Sequence, residues 1–140
     1  MTVLLDTGPI LSLADRKDPF HASVVAAWQE EEGPFVTTMG VVAEASYLLL
    51  KYLGPDSELA FLRSWREGEI RVEPVTEKDL DRVLVILARY RDQGFGFVDA
   101  ALFALAERLK IRRVLTLDHR HFDAYRPAHC PAWEHLLARE

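Results

Sequence analysis

Four carboxylates sit where their neighbours are apolar. Asp6 closes the run Val3-Leu4-Leu5, and Asp118 closes Val114-Leu115-Thr116-Leu117. Glu44 falls three residues after Val41 and four before Leu48, so on a helix it shares their face, and that face is expected to point to the core. Asp99 is the only charge in the apolar stretch 97–106. An isolated ionised carboxylate in such surroundings is costly unless it is paired or binds a cation. Each acid has its own ordinary explanation: Asp6 and Asp118 as helix caps, Asp99 as a partner of a helix dipole, Glu44 as half of an arginine pair. A divalent metal explains all four at once. Mg²⁺ or Mn²⁺ takes hard oxygen ligands, which carboxylates supply. Such a set, with no Cys/His ligand pattern, points to phosphoryl chemistry, in which one ion or two ions ~3.5–4 Å apart act on the attacking and leaving oxygens. Thr7 and Thr116 stand beside these acids, either as supporting hydroxyls or as ordinary strand-end residues.

The elements that must position these groups alternate. Residues 2–5 read as a buried strand, and Pro9 suits the first turn of a helix running to about residue 14. Helical patterns follow over 19–32, 40–52 and from a cap at Asp56. Short strands are expected at 35–37, 70–75 and 113–117. Thr76 and Asp79 form a capping-box pattern ahead of a helix with Leu80, Val83, Leu84 and Leu87 on one stripe. Gly94 and Gly96 break the chain before a helix over 97–109 that is apolar nearly all round and therefore buried. The tail is punctuated by Pro127 and Pro131 and its pattern is ambiguous: 133–138 could form a short helix, and it does not read as a clean final strand. Strand–helix alternation with short connections implies a parallel sheet covered by helices, with all strand C-termini on one edge. Ligands of open α/β sheets bind at that edge.

At these residues the sequence resembles PIN-domain ribonucleases, in particular the small single-domain toxins of VapC type. The resemblance rests on Leu5-Asp6-Thr7, on Glu44 in Val41-Val42-Ala43-Glu44-Ala45, on Asp99 in Phe97-Val98-Asp99-Ala100-Ala101, and on Thr116-Leu117-Asp118 followed by Phe122. It extends over essentially all of residues 1–140 as one domain. It implies a three-layer α/β/α sandwich with a central parallel sheet of four to five strands. It also implies endonucleolytic hydrolysis of RNA with water activated by one or two Mg²⁺ or Mn²⁺ ions. Asp6, Glu44, Asp99 and Asp118 would then be catalytic residues and metal ligands, with Thr7 and Thr116 supporting them. The family pattern further implies a homodimer and a cognate antitoxin protein. Two rival readings are less consistent with these residues. A haloacid-dehalogenase-like phosphatase needs a second acid two residues after the first, where this chain has Gly8. A PIN-like module used only for interaction predicts a degraded acid set, whereas all four acids are present.

Composition bounds the rest. The chain has 140 residues, 49% hydrophobic and 28% charged, which suits one globular domain. Its net charge of −5 excludes binding of nucleic acid by bulk positive charge, though not a metal-dependent nuclease. Residues 1–70 hold 11 acids and 5 bases, so most of the bases lie in the second half, and several surround Asp118. His119 and Arg120, directly after Asp118, are candidate RNA contacts. His119, His121, His129 and Cys130 fit no standard zinc spacing. One cysteine, no signal-peptide pattern and no apolar run of membrane-spanning length lead to the expectation of a cytoplasmic protein without a membrane association. Trp28, Tyr47, Tyr52, Phe61 and Trp65 could belong to the core or to an interaction surface.

Overall fold

Val3–Leu5 forms β1 and is buried on every residue, as expected of a parallel strand covered on both faces. A computed structural model describes residues 1–138 of the chain. After β1 come α1 (Thr7–Ala14), α2 (His21–Glu30), β2 (Phe35–Thr38), α3 (Met39–Leu53), α4 (Pro55–Arg66), β3 (Ile70–Glu73) and α5 (Glu77–Arg89). A 3-10 turn over Arg91–Gln93 leads to α6 (Phe97–Leu109), β4 (Arg113–Leu115), α7 (His119–Ala124) and β5 (Glu134–His135). The strands make one five-stranded sheet in the order β3-β2-β1-β4-β5, and every pairing is parallel. Helices flank this sheet, as the α/β/α expectation requires.

The strand order decides where a ligand can bind. From β1 the chain first builds outward through β2 to β3, then returns to the other side of β1 for β4 and β5. The direction therefore reverses between β1 and β4, and the crevice at their C-terminal ends is the topological switch point. Side-chain bonds brace this edge, since Thr37 at the end of β2 donates its hydroxyl to the Leu5 carbonyl at 2.7 Å. The α6 helix packs beneath with Ala100 to Ala106 all buried.

Caps set most helix starts. Thr38 accepts the Val41 N–H to open α3, and Thr76 with Asp79 makes a full capping box for α5. The α4 helix begins at Pro55, after Gly54 at φ +96°, a conformation that favours glycine; Asp56 lies inside its first turn rather than capping it. On α5 the core-facing residues are Val83 and Ile86, while Leu80 and Leu84 are exposed, so the apolar stripe is rotated from the sequence expectation.

The tail also differs. Glu134–His135 is a strand and not a helix, because the Glu134 N–H reaches the Arg112 carbonyl at 2.9 Å and the Leu136 N–H reaches Val114 at 3.0 Å. The open edge of β4 supplies those acceptors, and the tail's own pattern does not announce them. Of the five aromatics of uncertain place, Phe61 is buried and Trp28 stacks on Phe35, while Tyr47, Tyr52 and Trp65 are exposed. No described helix is long and apolar enough to cross a membrane.

Candidate active site

Asp6 is the cap between β1 and α1. Its Oδ1 accepts the Thr7 N–H at 2.8 Å and its Oδ2 accepts the Thr116 hydroxyl at 2.7 Å. Thr116 in turn accepts the Asp118 N–H at 2.9 Å, so one hydroxyl links the acids that follow β1 and β4. Asp118 caps α7: its Oδ1 accepts the His121 N–H at 3.1 Å, which leaves Oδ2 toward the cleft. Asp99 enters from the first turn of α6. Asp6, Glu44, Asp99 and Asp118 line one open cleft of about 440 Å³, together with Thr7, Gly8, Leu11 and Leu117.

Glu44 does not face the core. It is exposed on α3, while Val41, Val42, Ala45 and Leu49 take the buried positions. Glu44 itself lines the cleft, so hydration replaces the burial expected from spacing. It makes no ion pair with any described residue.

The electrostatics of the cleft are strained without a cation. Burial pushes the Asp6 carboxyl up to about 6, and the neighbouring Asp99 and Asp118 push the same way against its two hydrogen bonds. Burial also raises Asp99, opposed by His121 and reinforced by Asp118. The Thr7 hydroxyl is buried against this cleft and has no partner among the described residues. Two converging acids, Asp6 and Asp99, that burial makes harder to ionise, with an unused hydroxyl beside them, fit a divalent cation with its water.

A residue of little weight in the sequence completes the picture. His121 Nδ1 lies 3.0 Å from Asp118 Oδ2 and 3.2 Å from Asp99 Oδ2. Among the described residues, Asp99, Asp118 and His121 are the one group of three side chains whose donor atoms come close enough to share an ion. Its sequence signal is the i, i+3 spacing from a helix-capping aspartate. The other candidate zinc ligands form no group of three with His121: His119 Nε2 meets the Leu137 carbonyl at 3.1 Å, while His129 Nε2 meets that of Ile111 at 2.6 Å and lies 3.7 Å from Cys130 Sγ. His119 and the exposed Arg120 instead line an adjoining cleft of about 380 Å³ that shares Leu117 and Asp118 with the first. A third, largely apolar cleft of about 350 Å³ lies among Ile10, Trp28, Leu49 and Phe61, away from the acid cluster.

The sequence and the fold are both similar to those of known proteins. The chain is 36% identical over 125 residues to Ribonuclease VapC26 of Mycobacterium tuberculosis, covering 89% of this chain and 93% of that protein. The fold superposes on the crystal structure of Mycobacterium tuberculosis VapC20, a Sarcin-Ricin loop cleaving toxin, with a TM-score of 0.74 at 23% identity, over 80% of this chain and 86% of that one. It also superposes on a toxin–antitoxin complex from Klebsiella pneumoniae with a TM-score of 0.69 at 14% identity, over 94% and 98% of the two chains. The model of the PIN domain family matches residues 3–127, and with that span and the 36% identity to a ribonuclease over most of both chains, the chain belongs to the PIN domain family.

Proposed function

We propose that this chain is a divalent-metal-dependent endoribonuclease that hydrolyses RNA phosphodiester bonds, acting as the toxin of a toxin–antitoxin pair. The observation that carries this reading is the convergence of Asp6, Glu44, Asp99 and Asp118 on one cleft at the switch point of the sheet, in a chain 36% identical to a VapC ribonuclease. Asp6, Asp99 and Asp118 would hold one or two Mg²⁺ or Mn²⁺ ions. Bound there, the metal supplies positive charge for the phosphate oxygens and lowers the pKa of water.

The chain's own groups do the remaining work. Thr116 holds Asp6 and the Asp118 backbone in register through its hydroxyl. Thr7 offers its free hydroxyl to a water in the cleft. Glu44, hydrated at the rim, takes the proton released as water attacks phosphorus. Arg120 meets the RNA phosphates beside the cleft, and His119 shapes the wall that carries it. The partners are thus an RNA substrate and a cognate antitoxin, and the exposed Leu80 and Leu84 of α5 give apolar surface for a second copy in a homodimer.

The test is cleavage of a mixed RNA substrate by the purified chain. Cutting should require Mg²⁺ or Mn²⁺, stop in excess EDTA, and be lost in Asp99→Asn with the thermal unfolding transition retained. Full activity in that variant or in EDTA overturns the proposal.

A further inference from the structure

We propose that His121 supplies a nitrogen ligand to the divalent ion, so that the site is a mixed nitrogen–oxygen centre favouring Mn²⁺ over Mg²⁺. This rests on the metal-nuclease reading and extends its ligand set beyond the four acids.

The geometry is that of a ligand. The Nδ1 atom is buried and forms no well-aligned hydrogen bond, although carboxylate oxygens stand at 3.0 and 3.2 Å. Neighbouring ligands of an octahedral ion at about 2.1 Å lie roughly 3 Å apart. One donor atom from each of Asp99, Asp118 and His121 lies within 4.8 Å of the other two. The ring is also held in place. Phe95 meets it edge-on with centroids 5.3 Å apart. On its other nitrogen, a Cβ at position 94 would stand 3.8 Å from Nε2, and Gly94 has φ +80°, so the loop passes close to the ring without a side chain in between. Asp118 spends Oδ1 on the His121 backbone N–H, which fixes the carboxylate and the imidazole relative to each other within one turn of α7. A plain ion pair of His121 with the acids would leave the metal to oxygen ligands alone. Mg²⁺ prefers such ligands, whereas imidazole raises affinity for transition ions.

The two arrangements separate in a binding and spectroscopic experiment on the full chain. Mn²⁺ and Mg²⁺ affinities are measured by calorimetry for the wild type, His121→Ala and His121→Gln. Pulsed electron paramagnetic resonance is recorded on the Mn²⁺-loaded proteins, including wild type labelled with ¹⁵N-histidine. Ligation by His121 gives a nitrogen coupling that changes isotope on labelling and vanishes in the variants. It also gives a tenfold or greater loss of Mn²⁺ affinity, with Mg²⁺ affinity changed less than threefold. The labelled wild type keeps the test valid even where a variant fails to fold. Mn²⁺ bound without nitrogen coupling overturns the histidine ligand and leaves the metal-nuclease reading standing. Absence of Mn²⁺ binding in the wild type overturns both.

Discussion

The Thr116 hydroxyl donates to Asp6 Oδ2 at 2.7 Å, joining residues 110 positions apart at the ends of two adjacent strands. Because the same oxygen accepts the Asp118 N–H, one side chain sets the relation between two acids of the cleft. Thr116→Val keeps the shape and removes both bonds. A hydrogen bond to a charged group contributes about 1.5–3 kcal/mol, so RNA cleavage should fall roughly 10- to 100-fold. Thr116→Ser should recover most of it. Rates at saturating metal check this, and a valine variant of wild-type rate contradicts it.

Asp6 gives a pH prediction with an unusual sign. Its carboxyl is raised from 3.8 to about 6, so the folded state holds the proton more tightly than the unfolded state. Its contribution to stability is full below pH 4 and is lost as pH rises through 6. The ionised form in the metal-free protein costs about 3 kcal/mol. Asp6→Asn removes that charge. In EDTA at pH 7.5 the variant should melt at or above the wild-type temperature, and the gap should close toward pH 4. Added Mn²⁺ should stabilise the wild type, by ~2.7 kcal/mol at a hundredfold excess over Kd, and the variant much less. Thermal melts across pH, with and without metal, decide it.

How legible the cleft was depended on the kind of signal. Asp6 and Asp118 follow apolar runs, and a parallel sheet sends the ends of such runs to one edge, so their meeting could be read from pattern alone. Glu44 shows where pattern stops. Its spacing from Val41 and Leu48 is helical, but Ala45 and Leu49 take the buried side and Glu44 turns to the cleft rim. Periodicity finds a stripe and leaves its two edges undefined, and the same slip on α5 kept Val83 in the core but exposed Leu80 and Leu84 and buried Ile86. The β5 strand exists because β4 offers free acceptors, which no local pattern encodes. His121 meets Asp99 only through the placement of α7 against α6, a tertiary contact without a sequence period.

Exposure makes Glu44 a clean separation of activity from stability. Its carboxylate is hydrated and makes no ion pair with any described residue. Glu44→Gln should leave stability within about 0.5 kcal/mol of the wild type, as for most surface changes. Cleavage should drop by 10²-fold or more, the usual range for a group that moves a proton in the rate-limiting step. Unfolding curves and single-turnover rates measured side by side test the pair of statements. A large stability loss with activity intact would reverse the assignment.

Glu107 should behave in the opposite way, because it is structural and its charge is satisfied. It accepts from Arg82 Nε at 2.8 Å, from the Tyr125 hydroxyl at 2.6 Å and from the Ala128 N–H at 2.7 Å. Burial pushes its carboxyl up, but these donors and the Arg82 charge outweigh burial and hold it below the usual range. Its stabilisation is therefore present above the unfolded pKa of 4.5 and lost as pH falls through the lower folded value. Glu107→Gln removes the charge and misdirects two donors, costing about 2 kcal/mol at pH 7. The difference from wild type should shrink as pH falls below 4.5 and through the lowered folded value, where the wild-type carboxyl also protonates. Tyr125 stacks on Phe103, with centroids 4.3 Å apart, and Phe95 bridges from that pair to His121. Loosening this wall should therefore weaken Mn²⁺ binding only severalfold, far less than loss of His121 itself. A glutamine variant that matches the wild-type melting temperature at pH 7 would show that the three donors do not stabilise the fold.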